Sequence, residues 1–147
     1  MSIKAVLSPK TLHFTVKIKP FGQQRARYTK TGNAYLSAEQ KARQGELDFL
    51  LLPYKPKIAL KGAIRLDFTA CFAIPTSYSK KKIKELEERN FFHISKPDKD
   101  NIEKAILDSL NRVGFFEKDD CQVCSGYSEK KYSKQGDYIK ITISELF

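Results

Sequence analysis

No run of this 147-residue sequence is apolar for long enough to cross a bilayer, and Met1 to Pro20 lacks the basic-then-apolar pattern of a secretory leader. The sequence therefore predicts a cytoplasmic protein. It is also poor in cysteine, with only Cys71, Cys121 and Cys124. An odd set of three suits a reducing compartment, and one C-x-x-C without a second pair falls short of the four ligands that close a zinc site. Internal repeats and low-complexity segments are absent, so residues 1–147 read as one domain. Acidic residues are scarce as well. Seventeen Asp and Glu stand against 27 Lys and Arg, a net charge of +10 that favours a polyanionic partner, because basic side chains displace the counterions condensed on phosphates.

What is present suits a packed core, since hydrophobic residues make up 41% of the chain, ten Phe and seven Tyr among them. Leu12, Phe14, Val16 and Ile18 alternate with polar residues, which predicts a half-buried strand with His13 on its wet side. Ile64, Leu66, Phe68, Ala70, Phe72 and Ile74 repeat that period of two over a longer run, the mark of a central strand. Ser37 with Gln40 forms a capping box that opens a helix over Ala38 to Leu52, with Leu47, Leu50 and Leu51 as its buried stripe. Ser79 caps a charged surface helix, Lys80 to Arg89. Strand-like residues in Cys121 to Ser133, a Gln135-Gly136 turn and a strand from Tyr138 to Leu146 predict a C-terminal β-hairpin. The class is α+β, a mixed sheet packed with helices. Between the first strand and first helix, Pro20 to Ala34 reads as a loop. It interleaves Arg25, Arg27 and Lys30 with Tyr28, a composition suited to phosphate contact and base stacking.

The local exception to the basic balance is Lys96 to Asp120, which holds five aspartates. Pro97 favours an extended entry, so Asp98 and Asp100 are expected on one side of the chain. Asp100 with Glu103 makes a second capping-box pattern, and Ile102, Ile106, Leu110 and Val113 form the apolar stripe of the helix that follows. Lys104 and Asp108 lie on its other side. Carboxylates gathered in this way repel unless they spread apart, bind protons or share a cation. The pattern D-x-D-N-x-x-K-x-x-x-D, followed by Asp119-Asp120, offers the oxygen donors that Mg²⁺ or Mn²⁺ prefers. Taken singly, each residue has a plainer use: a cap, an i,i+4 pair or a turn.

Pro97-Asp98-Lys99-Asp100-Asn101, Lys104, Asp108, Leu110, Asn111 and Asp119-Asp120-Cys121-Gln122-Val123 together resemble the RusA family of Holliday junction resolvases. Gln24-Arg25-Ala26-Arg27 and Ala34-Tyr35 add to the likeness. The resemblance implies a RusA-like fold and a small homodimeric endonuclease, frequent in phages and prophages, that cuts four-way DNA junctions with Mg²⁺. It carries the catalytic set onto Asp98, Asp100 and one of Asp119 and Asp120, usually the second, with Lys104 assisting. On this expectation Asp98, Asp100 and Asp120, or Asp119 in its place, are the metal ligands. Arg25, Arg27, Lys30 and Lys96 are the candidate DNA contacts.

Two rivals stand beside it. Pro97-Asp98 followed by Glu129-Lys130-Lys131 imitates the P-D…E-x-K pattern of restriction-type nucleases, though it leaves Asp100 and Asp120 unused. The basic loop alone fits a non-catalytic module that binds branched DNA or RNA, but carboxylates facing nucleic acid without a metal repel its phosphates.

Overall fold

A computed structural model describes residues 10–147. Its strands are β1 (Thr11–Val16), β2 (Arg27–Tyr28), β3 (Ala34–Tyr35), β4 (Ile64–Ala73), β5 (Val123–Ser125), β6 (Ser128–Ser133) and β7 (Tyr138–Glu145). Its helices are α1 (Ala38–Leu51), α2 (Lys80–Glu88) and α3 (Lys99–Val113). β4 is the hub, as its long alternation demands. It pairs antiparallel with β7 along one edge, and parallel with β5 and β6 along the other. β1 closes the far side of β7.

Register puts one residue set on one face. Phe14 lies opposite Ile141 and Ile141 opposite Phe68, so the buried residues of three strands form continuous rows. α1 and α3 cover these rows with Leu47, Leu51, Ile102, Ile106 and Leu110, all fully buried. The other face carries His13, Thr142, Asp67 and Thr69. His13 is exposed there and hydrogen-bonds Thr142 Oγ1 at 2.7 Å, the surface position its place in the alternation implied. Asp48 ties the two helices together, accepting from Arg112 Nε at 2.9 Å and Nη2 at 3.0 Å and from the Ser109 hydroxyl. No helix of the described residues is long and apolar enough to cross a membrane.

Three expectations are corrected. The C-terminal segments do not form a hairpin, because β4 lies between β6 and β7 and pairs with both. The short link after Ser133 crosses the end of β4, where Asp137 Oδ1 accepts from Ala73 N at 2.8 Å and Ser133 O from Ile74 N. A strand buried along its length gains more from two neighbours than a hairpin gains from one. The second correction is at α3, where the N-cap is Asp98 and not Asp100, which falls inside the first turn. The third is the basic loop, part of which is a two-stranded ribbon in which Arg27 pairs with Tyr35 and Tyr28 with Ala34. α1 ends at Leu51, with a 3₁₀ turn at Leu52–Tyr54 carrying Pro53.

Gly126, between β5 and β6, shows how closely the hub is lined. A Cβ there would sit 1.9 Å from the Leu66 carbonyl oxygen, and its φ is +156°. Gly126→Ala must displace backbone at the sheet's centre, so we expect a loss of about 2 kcal/mol or more, read from the urea midpoint. An unchanged midpoint would show that this edge of β4 is not held as described.

Candidate active site

α3 is fixed in rotation by its buried side, Ile102, Ala105, Ile106, Ser109, Leu110 and Val113. That leaves Asp100, Lys104 and Asp108 at successive four-residue steps along the helix's other flank, Asp100 and Lys104 exposed and Asp108 half-buried. Asp119 and Asp120 come back against this helix in a 3₁₀ turn, Asp120–Gln122. Burial raises the Asp108 carboxyl above its usual value, and the Asp120 charge adds to the rise while Arg112 and Lys104 oppose it. Asp120 and Asp108 are therefore electrostatic neighbours.

The two members of the Asp119-Asp120 pair differ. Asp119 is the cap of the turn: its Oδ1 accepts from Cys121 N at 2.7 Å, and its bonds with Cys121 hold its pKa below the ordinary carboxylate value. Asp120 has no such bond. The same distinction sorts all eight aspartates. Asp48, Asp67, Asp119 and Asp137 each accept from a backbone or side-chain donor. Asp98, Asp100, Asp108 and Asp120 accept none from the described residues, and all four lie on α3, at its N-cap or in the turn against it.

Asp98 is the most telling of them. Ser37 and Ser79 cap α1 and α2 with their hydroxyls, whereas Asp98 occupies the N-cap of α3 without making the side-chain bond. An N-cap bond contributes about 1 kcal/mol, and the helix dipole still favours a carboxylate at this end. The carboxylate is thus kept near the helix N-terminus but turned away from its amides.

The entry to α3 is held from behind. Lys130 on β6 donates from Nζ to Ser95 O at 2.6 Å and to Pro97 O at 2.8 Å. Burial lowers its pKa, and the Asp98 charge pulls the other way. In front, Gln23 N donates to Asn101 O at 3.1 Å, and Gly22 packs so closely that a Cβ would lie 3.2 Å from the Cβ atoms of both Asn101 and Pro97. The base of the basic ribbon therefore rests on the first turn of α3. Beyond that base, Arg25, Arg27 and Lys30 are exposed, as is Tyr28 at 70%. Lys96 is also exposed and lines a groove with Asp98, His93 and Gln23.

As they stand, no three His, Cys, Asp or Glu side chains among the described residues converge closely enough to hold a metal ion. The donor chemistry nevertheless fits a hard divalent cation: carboxylate oxygens without donors among the described residues, on short side chains at or near the surface. Glu129 does not join them. It pairs with Thr69 on the sheet face opposite the helices, and its carboxylate accepts from Tyr127 Oη at 3.3 Å. Lys130, one residue on, points to the helix side.

A family model described as "Endodeoxyribonuclease RusA" matches residues 17–144. The chain belongs to the RusA endodeoxyribonuclease family. It is also similar to a protein of Bacillus subtilis (strain 168) described as "Uncharacterized protein YqaN", 30% identical over 140 residues that span 92% of this chain and 96% of that one. In this RusA-family chain the matched region takes in β4, α3, the Asp119-Asp120 turn and the basic ribbon. Family membership makes cleavage of a DNA phosphodiester the chemistry to be explained.

Sequence reasoning missed Lys130 as the anchor of the α3 entry. No local pattern marks it, because its partners lie more than thirty residues away. Since Glu129 faces the other side, Glu129→Gln should leave DNA cleavage within about twofold of the parent. A loss of an order of magnitude would revive the P-D…E-x-K arrangement.

Proposed function

We propose that the chain is a Mg²⁺-dependent, structure-specific endodeoxyribonuclease that resolves four-way DNA junctions by paired symmetric nicks, working as a homodimer. The observation that carries this reading is the segregation of the aspartates. The four without a donor among the described residues are gathered at one helix of a basic protein, among the residues that resemble the family's motif. Nucleases of the RusA family generally use a divalent metal, and Mg²⁺, with Mn²⁺ as a substitute, suits an all-oxygen donor set.

Asp98, Asp100 and Asp120 would hold the ion. When bound, it would lower the pKa of a water and stabilise the departing 3′ oxygen. The chain's own groups do the rest. Lys104, one turn beyond Asp100, neutralises charge growing on the phosphate oxygens. Lys130 keeps Ser95 to Pro97 in place and with them the Asp98 backbone, so the carboxylate is presented with little reorganisation. Arg25, Arg27 and Lys30, on a ribbon seated against α3, and Lys96 beside it contact phosphates flanking the cut. Two cuts related by symmetry require two copies of the site, which is why a two-fold dimer belongs to the proposal.

The test is a labelled four-way junction incubated with and without Mg²⁺, the parent beside Asp100→Asn. The parent should produce paired nicks only with the metal, leaving 5′ phosphate and 3′ hydroxyl ends, and Asp100→Asn should bind without cutting. Binding without cleavage by both would leave a non-catalytic DNA-binding module as the answer. Within the same assay Asp120→Asn should lose on the order of 10²-fold in rate. Asp119→Asn should retain most activity, because asparagine keeps the oxygen that accepts from Cys121 N and the role of this side chain is the turn. The reverse ranking would transfer the ligand role to Asp119. Changing Arg25 and Arg27 together to Ala should weaken junction binding and reduce its log–log salt slope by about 2, one for each phosphate contact. An unaltered slope would return the ribbon to solvent.

A further inference from the structure

The groove beside Asp98 has features that phosphodiester cleavage does not need. Its volume is about 1030 Å³, and it runs between the base of the ribbon and the entry to α3. Pockets that hold small organic groups occupy roughly 300–1,000 Å³. One wall is aromatic: His93 stacks on Phe72 with centroids 3.9 Å apart and planes within 12°, and Tyr132 leans on His93 at 4.8 Å.

Polar groups in this wall are held but not saturated. His93 is 8% exposed, and its Nδ1 is buried with no hydrogen-bond partner among the described residues. Burial, helped by the Lys130 charge, holds its pKa below the usual histidine value, so the ring is neutral and one nitrogen is an acceptor. Across the groove, Gln23 Oε1 accepts from Gln40 Nε2 at 3.4 Å and Gln44 Nε2 at 3.3 Å, and Gln24 Oε1 accepts from Ser37 Oγ at 3.3 Å. Both carboxamides are thus oriented through their oxygens, leaving their NH₂ groups to donate. Asn101 adds a third carboxamide.

The lining also carries Lys19, Arg43 and Lys96, cations that suit neighbouring phosphates, while its neutral carboxamide donors and the His93 acceptor are what a nucleobase edge requires. We infer that this groove receives a nucleobase turned out of the stack at the branch point, beside the phosphate that is cut, and reads its edge through Gln23, Gln24, His93 and Asn101. Turning out a base costs a few kcal/mol in a duplex and least where stacking is already interrupted, as at a crossover. The inference rests on the four-way-junction reading and adds to it the source of base preference at the cut.

The test uses the full-length chain and four-way junctions carrying an abasic nucleotide at each branch position in turn, with binding measured in Ca²⁺ in place of Mg²⁺. One symmetry-related pair of positions should lose about tenfold in affinity, equivalent to about 1.4 kcal/mol. Gln23→Ala should weaken binding of the intact junction by a similar factor, yet lose less than about threefold further on that abasic junction, because the two changes remove one contact. Affinities within about twofold across the abasic series of the parent protein, or losses that multiply in the double change, would overturn the inference. Junctions bound and cut normally but insensitive to the missing base overturn this inference alone. A chain that binds the four-way junction no better than duplex sinks the junction reading with it.

Discussion

The rotation of α3 about its own axis is the constraint on which the rest depends. Six of its residues are buried against the sheet, and that single stripe decides which side chains are left over. Burying a large aliphatic side chain contributes about 1.5–3 kcal/mol, so rolling the helix far enough to hide Asp100 would expose several such groups at once. No surface ion pair competes with that. The carboxylates at the helix start and flank are therefore held out by the core, and the Asp48 bridge to Ser109 and Arg112 locks the far end against α1.

Much of this was legible locally. Alternation located β1 and β4, and the serines at positions 37 and 79 marked the starts of α1 and α2, because an N-cap is a contact between near neighbours. The α3 stripe was readable for the same reason. Its first residue was not. Asp100 and Glu103 have the spacing of a capping box, but the chain caps at Asp98 and uses neither side chain in that role. Local pattern could not tell a carboxylate that caps from one that stands at the cap without bonding.

What sequence could not supply was pairing between distant segments. Residues 121–133 and 138–146 look like a hairpin to any local rule, since a short Gly-containing link joins two strand-like runs. Whether they pair depends on β4, more than fifty residues earlier, which enters between them. The Lys130 bonds to Ser95 and Pro97, and the seating of Gly22 and Gln23 on Asn101, are non-local in the same way. The candidate acids were visible as residues, while the groups that orient them were not.

The charge pattern can now be argued from these contacts. A protein with a net charge of +10 has cations to spare, yet Asp98, Asp100, Asp108 and Asp120 make no salt bridge among the described residues, whereas Asp48 and Asp67 do. Burial raises the Asp108 carboxyl, and repulsion from the Asp120 charge adds to the rise. Stability alone would favour replacing one of these acids or turning a lysine onto it. Lys104 is one turn from both Asp100 and Asp108 without bonding either, and Lys130 spends its hydrogen bonds on carbonyls instead of on Asp98. The basic side chains close to the acids act as struts or remain exposed, so the negative charge is left without a partner among the described residues. Such uncompensated charge is tolerable in a fold whose core does not depend on it, and it is confined to α3 and its facing turn.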